Sequence, residues 1–127
     1  MSERGPASRK VDDFLRAMER RDLSAAKAFL APGFTMTFPG GRQMTSLDEL
    51  IEWSKTRYRR VEKTYERFDE VADADRTVVY CFGTLSGEGL DGAAFSGIRF
   101  IDRFTIKDGL ISEQLVWNDM GEVRGNT

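Results

Sequence analysis

From about residue 63 to residue 118 the chain holds four β-leaning runs, at about 63–72, 76–87, 94–107 and 110–118, joined by connections too short for a parallel crossover. Turn-forming residues mark each junction: Asp73 to Asp75, Gly87 to Gly92, and Lys107 to Gly109. Such a run of hairpins makes an antiparallel meander, and a meander is stable in water only when one of its faces is covered.

The cover has to come from the other half of the chain. Val11, Phe14, Leu15 and Met18 recur at helical spacing, opposite Asp12, Asp13, Arg16, Glu19 and Arg20, which predicts a first helix over about 7–21. Asp22 is placed to cap a second, short helix with Leu23, Ala26, Phe29 and Leu30 inward and Pro32-Gly33 as its stop. Phe34 to Phe38 alternates with period two, giving a strand whose apolar face is Phe34, Met36 and Phe38. Ser46 to Glu49 is a capping-box pattern, and the stripe Leu47, Leu50, Ile51, Ser54, Tyr58 and Val61 carries a third helix to about residue 60. The expected class is α+β: a curved antiparallel sheet wrapped around three N-terminal helices. With 127 residues the chain is expected to be one domain, 1–127.

The residue that is missing narrows the chemistry further. The sequence has no histidine, which removes imidazole bases, Ser-His-Asp triads and His-ligated metals. Cys81 is the single cysteine, so there is no intrachain disulfide or cysteine-based zinc site, and no metal or cofactor is expected. A reducing, cytoplasmic location follows, with no signal-like apolar stretch at the start and no membrane partner expected. A net charge of −2 gives no pull toward nucleic acid.

Several motifs read as ordinary structure. Gly87, Gly89 and Gly92 match G-x-G-x-x-G, but the segment after them has strand character, so a glycine-rich hairpin is expected in place of a dinucleotide site. Asp69, Glu70, Asp73 and Asp75 lack calcium-loop spacing. Arg57, Arg59, Arg60, Lys63 and Arg67 form a basic cluster, best read as a solvated face, with an anion or partner site as the alternative.

One strand stands apart. Ser96, Ile98, Phe100, Asp102, Phe104 and Ile106 share a face that is apolar except at Asp102, whereas Arg99 and Arg103 lie on the other. A carboxyl group there must be hydrogen-bonded, paired with a cation, or held protonated. Either a neighbouring arginine pairs with it, or it is a pocket acid, and the second reading is preferred. If the acid is neutral, Asp102→Asn is expected to keep the fold; a loss above roughly 3 kcal/mol would mark a broken buried ion pair.

The order of elements, together with Gly97 to Ile111 followed by Leu115 to Asp119, resembles the nuclear transport factor 2-like (NTF2-like) superfamily and its SnoaL-like branch. That resemblance implies a cone, with a pocket between the concave sheet and the helices. Compared with ketosteroid isomerases of the superfamily, Asp102 resembles the oxyanion-hole aspartic acid and Trp117 the pocket-closing tryptophan. The general-base position falls on Phe38 and the oxyanion-hole tyrosine on Phe14, so steroid isomerisation at that family's rate is not expected. Arg67 and Asp69 have the local spacing of limonene-epoxide hydrolases, on an earlier strand than that reaction needs.

The expected function is binding of a small apolar or aromatic molecule in the cone, with Phe14, Met36, Phe38, Tyr58, Phe100 and Trp117 as ligand contacts. Isomerase or cyclase chemistry would rest on Asp102 or Asp119, assisted by Tyr80 or Tyr58. The alternative is a non-catalytic dimerisation or partner-binding module whose cone is filled by its own side chains. A pocket of about 300 Å³ or more would favour the ligand. A homodimer through the outer sheet face is also expected, because Val78, Tyr80 and Phe82 lie on one side of their strand and Val79 and Cys81 on the other.

Overall fold

Helix α1, Pro6–Glu19, buries Val11, Phe14, Leu15 and Met18, the stripe that the spacing marks out, and Ala17 beside them. This is seen in a computed structural model that describes residues 5–124. Proline is tolerated at the first helical positions, where its missing N–H has no helical partner to lose. The orphan amide of Ser8 donates to Glu70 at 2.7 Å, which ties the helix start to a distant strand. Helix α2 is one turn, Leu23–Lys27, and Asp22 accepts from the Ala25 amide at 3.2 Å.

Here the first difference from expectation occurs. Strand β1 spans Leu30–Phe38, so Pro32 and Gly33 lie within a strand and do not end a helix. Gly33 has φ 77°, and the pairing register shifts between Leu30 and Thr35, so the two residues form an irregular bulge that lets Leu30 pair as well. Strand β2, Arg42–Met44, was not expected; three residues are too few for alternation to show. Helix α3, Leu47–Lys55, carries the capping geometry: Ser46 Oγ accepts from the Glu49 amide at 3.1 Å, and Glu49 reaches back to the Thr45 amide at 3.0 Å. It stops short of residue 60 because the chain enters strand β3, Tyr58–Asp73. Strands β4, Arg76–Gly89, β5, Ala94–Lys107, and β6, Leu110–Asn118, complete the meander, and a short helix α4, Met120–Arg124, follows.

The six strands form one sheet in the order β2-β1-β6-β5-β4-β3. Neighbours β3 to β6 pair antiparallel, as the short turns require. The β1–β6 pair is parallel, with Met36 opposite Gln114, so the sheet is mixed and not wholly antiparallel. The chain between these two strands is long enough to allow it. The sheet can bend at Gly83, where a Cβ would run into the Thr64 carbonyl oxygen; only glycine permits that approach, next to a register shift between Tyr65 and Arg67. Helix α1 packs into the concave side, and Phe14 meets Phe29 and Phe104 edge-on at 6.4 and 6.1 Å. Among the described residues the fold is α+β, four helices on a curved, open sheet.

Candidate functional site

On β5 the inward face carries Phe100, Asp102 and Phe104, which are 2%, 0% and 0% exposed, while Arg99 and Ile101 face solvent. The period-two register therefore holds from Ile98 through Phe104, and Asp102 is buried against the concave side. Ser96, expected on the same face, is exposed and Phe95 is buried in its place, because the strand shifts register at Gly97 with φ 68°. Cys81 of β4 stands directly opposite it. One strand further out, β3 alternates in the same way: Val61, Lys63 and Tyr65 turn inward between exposed Glu62, Thr64 and Glu66.

Lys63 reaches across β4 and its Nζ lies 2.7 Å from Asp102 Oδ2. The lysine side chain is 18% exposed and the aspartate 0%, so this is a buried ion pair. Burial alone would depress the lysine, but the charge and hydrogen bond of Asp102 outweigh it and hold the ammonium above its ordinary pKa. The ammonium also lies 4.7 Å from the centroid of the Phe100 ring, which favours a cation over its face. The partner of Asp102 is thus a lysine and not the expected arginine. Arg99 and Arg103 are on the far side of the strand, and Lys63 lies inward, not on the solvated face expected of the basic cluster, because β3 begins at Tyr58 and runs through the Val61-Lys63-Tyr65 alternation.

Between α1, α3 and the concave sheet lies a cavity of about 130 Å³. Its walls include Phe14, Phe38, Ile51, Trp53, Val61 and Phe100, and its polar members include Lys63, Tyr58 and Tyr65. Phe38 packs on Trp53 with ring centroids 5.1 Å apart, and Arg57 lies 4.8 Å above the same indole. Tyr65 packs edge-on against Phe100 at 6.0 Å, and its hydroxyl is buried without a hydrogen-bond partner among the described residues. Burial raises the pKa of both Tyr58 and Tyr65, so each holds its proton at neutral pH.

Phe14, Phe38, Tyr58 and Phe100 thus line the cavity. Met36 is 1% exposed within the core and does not reach the cavity wall. Asp102 lies behind Lys63 and is not a lining residue. Trp117, expected as a wall, is on the outer face and 52% exposed, since it pairs with outward Ile101 while Val116 and Asn118 face inward. Asp119 lies on that outer side too, in a shallow groove, bound to Arg99 Nε. Tyr80 accepts from Arg103 at 3.3 Å, away from the cavity. Arg67 and Asp69 form an exposed pair at 2.8 Å. The sequence reading missed Lys63, Tyr65 and Trp53 as cavity residues.

This architecture is that of the NTF2-like proteins. The fold is similar to an NTF2-like protein of unknown function from Burkholderia pseudomallei K96243, with TM-score 0.76 and 22% identity over 94% of this chain and 95% of that one. It is also similar to TerC co-crystallised with polyporic acid, with TM-score 0.75 and 17% identity over 94% and 96%. A SnoaL-like polyketide cyclase homologue from Jannaschia sp. CCS1 aligns with TM-score 0.67 and 18% identity over 98% and 95%. Within that fold the chain belongs to the SnoaL-like domain family, whose sequence profile matches residues 11–114. A comparison with curated protein sequences gives no match. No helix among the described residues is long and apolar enough to cross a membrane.

Proposed function

We propose that this SnoaL-like protein binds a small ring-bearing apolar or aromatic molecule in the cone. The observation that carries this reading is the cavity itself, walled by aromatic and aliphatic side chains with a few polar groups converging on it. Its volume of about 130 Å³ is below the roughly 300 Å³ expected of a ligand pocket, which favours a cone largely filled by its own side chains and confines any occupant to one ring. Engineered apolar cavities of about 150 Å³ accept benzene, so a single ring is a realistic occupant. TerC, whose fold is similar, is co-crystallised with polyporic acid, which is in keeping with a small-molecule reading. A cytoplasmic setting remains the one that suits a buried thiol at Cys81.

Isomerase or cyclase chemistry on such a ligand would use Asp102 through Lys63, with the aspartate acting as a positioning residue for the ammonium. Asp119 lines the outer groove and not the cavity, so its expected catalytic role draws no support from its position. The test is thermal: monocyclic aromatic compounds at millimolar concentration should raise Tm, and Trp53 fluorescence should change as the cavity fills. Absence of both responses across such compounds would remove the ligand reading.

A second reading rests on the outer face. Ile101 and Trp117 are cross-strand neighbours, 37% and 52% exposed, beside Phe82. A homodimer through this face would cover them, and the Arg99–Asp119 pair would lie at its rim. Sedimentation at micromolar concentration should show a dimer that Trp117→Ser weakens; a monomeric wild-type protein would rule it out.

A further inference from the structure

Lys63 carries three N–H donors, and among the described residues Asp102 Oδ2 is the acceptor for one of them. Two residues along the same strand face, the Tyr65 hydroxyl is a second buried donor without a partner among the described residues. Both residues line the cavity, whereas Asp102 does not. Arg21 and Arg57 add two more cations to the lining. The carboxylate in the lining, Glu19, is occupied by Arg16 at 3.4 Å. Three cations face one already paired carboxylate, and counting Asp102 behind Lys63 still leaves the positive sign in excess. Arg21 is partly engaged with the Met18 carbonyl at 2.9 Å, which holds it near the rim.

A neutral hydrocarbon would satisfy none of these donors. Resting on the cavity reading above, we propose that the ligand is a monoanionic ring compound whose ring lies among Phe14, Phe38 and Phe100 and whose charged oxygen is held by Lys63 Nζ and the Tyr65 hydroxyl. The anionic oxygen belongs either to a carboxylate on the ring or to an acidic phenol or enol. Both present the same acceptor to the same two donors. Asp102 is a positioning residue in this arrangement: it holds the ammonium against the Phe100 face and takes no part in contact with the ligand. Charge-assisted hydrogen bonds are about twice as strong as neutral ones, so an anion should be preferred over a neutral ligand of the same shape.

The test uses the full chain and calorimetric titration with matched pairs of probes. Benzoate should bind about tenfold or more tightly than benzamide, which has the same shape without the charge. The acidic 4-nitrophenol is compared with 4-nitroanisole in the same way at slightly alkaline pH, and whichever anion shows the larger preference over its neutral partner identifies the source of the oxygen. Tyr65→Phe should lower benzoate affinity several-fold and leave benzamide unchanged. Since Lys63→Met alone would strand Asp102, the charge test uses Lys63→Met with Asp102→Leu, which should abolish the preference for both anions while circular dichroism shows an intact fold. Equal or tighter binding of the neutral partners overturns this proposal and leaves the cavity reading standing. Binding of no probe, charged or neutral, overturns the cavity reading and this proposal together.

Discussion

Strand β5 carries the two faces of the protein within four residues. Arg99 points outward and pairs with Asp119, with side chains 81% and 31% exposed; Asp102 points inward and pairs with Lys63, at 0% and 18%. Each pair joins a cation to an aspartate, and their energetics differ because their burial does. In water each charge is solvated whether or not the partner is present, so the outer pair adds little. Inside, desolvation is costly, and mutual attraction has to offset it, which makes each member of the inner pair indispensable to the other. Parity along a strand therefore decides whether a carboxylate is decoration or a commitment.

The strongest challenge to that contrast is to remove one inner partner. Asp102→Ala should destabilise the protein by about 3–5 kcal/mol in urea denaturation, because it leaves a buried ammonium without its anion. Asp102→Asn belongs with it, since the side chain pairs with Lys63 at 2.7 Å; a loss above roughly 3 kcal/mol is the outcome expected of a broken buried ion pair. A loss below about 1 kcal/mol would mean that Lys63 swings to solvent and that the inner pair behaves as a surface one. Replacing both partners, Lys63→Met with Asp102→Leu, should return stability to within about 1–2 kcal/mol of the parent or above it, because nothing charged is left stranded. Strong loss in the double variant would show that the site fails by packing and not by charge.

Alkaline titration separates the faces more gently. Lys63, Tyr58 and Tyr65 all have pKa values raised in the folded protein. The folded state holds these protons more tightly than the unfolded chain, so their contribution is complete below the unfolded values, near about 10, and is lost as pH climbs beyond them. Stability measured through that range should fall with rising pH, and the Lys63→Met, Asp102→Leu variant should fall less steeply. The smallest effect is predicted outside: Arg99→Ala should leave Tm indistinguishable from the parent, at low salt and high. A clear loss there would mean that Arg99 is covered in solution, as a dimer through that face requires.

Much of this contrast is legible in the sequence. The alternation around Asp102 fixed its face, the capping box fixed the start of α3, and the short turns fixed the meander. Legibility failed where one signal overlapped another. Tyr58 and Val61 continue the helical stripe of α3, so the same residues that open β3 read as the end of a helix, and Lys63 lost its register. On β6 the register shifts around Ile106 and Ile111, and the inward face then carries Gln114 and Asn118 while Trp117 points out. Hydrophobicity alone would reverse that strand. Asp119 follows the end of the same strand, where period two no longer applies.

The parallel seam between β1 and β6 has a consequence for the order in which the molecule can form. Thr35 pairs with Glu113 and Thr37 with Leu115, so one edge of the first strand waits for the last described strand before its backbone is satisfied. A hairpin such as β3–β4 can close locally and quickly, whereas the seam must bring together distant parts of the chain and pay the loop-closure entropy first. During synthesis, α1 and β1 emerge with their apolar faces uncovered, and the cavity has no floor until β5 and β6 arrive. The cone is therefore finished from its C-terminal side, and the interval before closure is when Phe34, Met36 and Phe38 are most exposed to wrong partners.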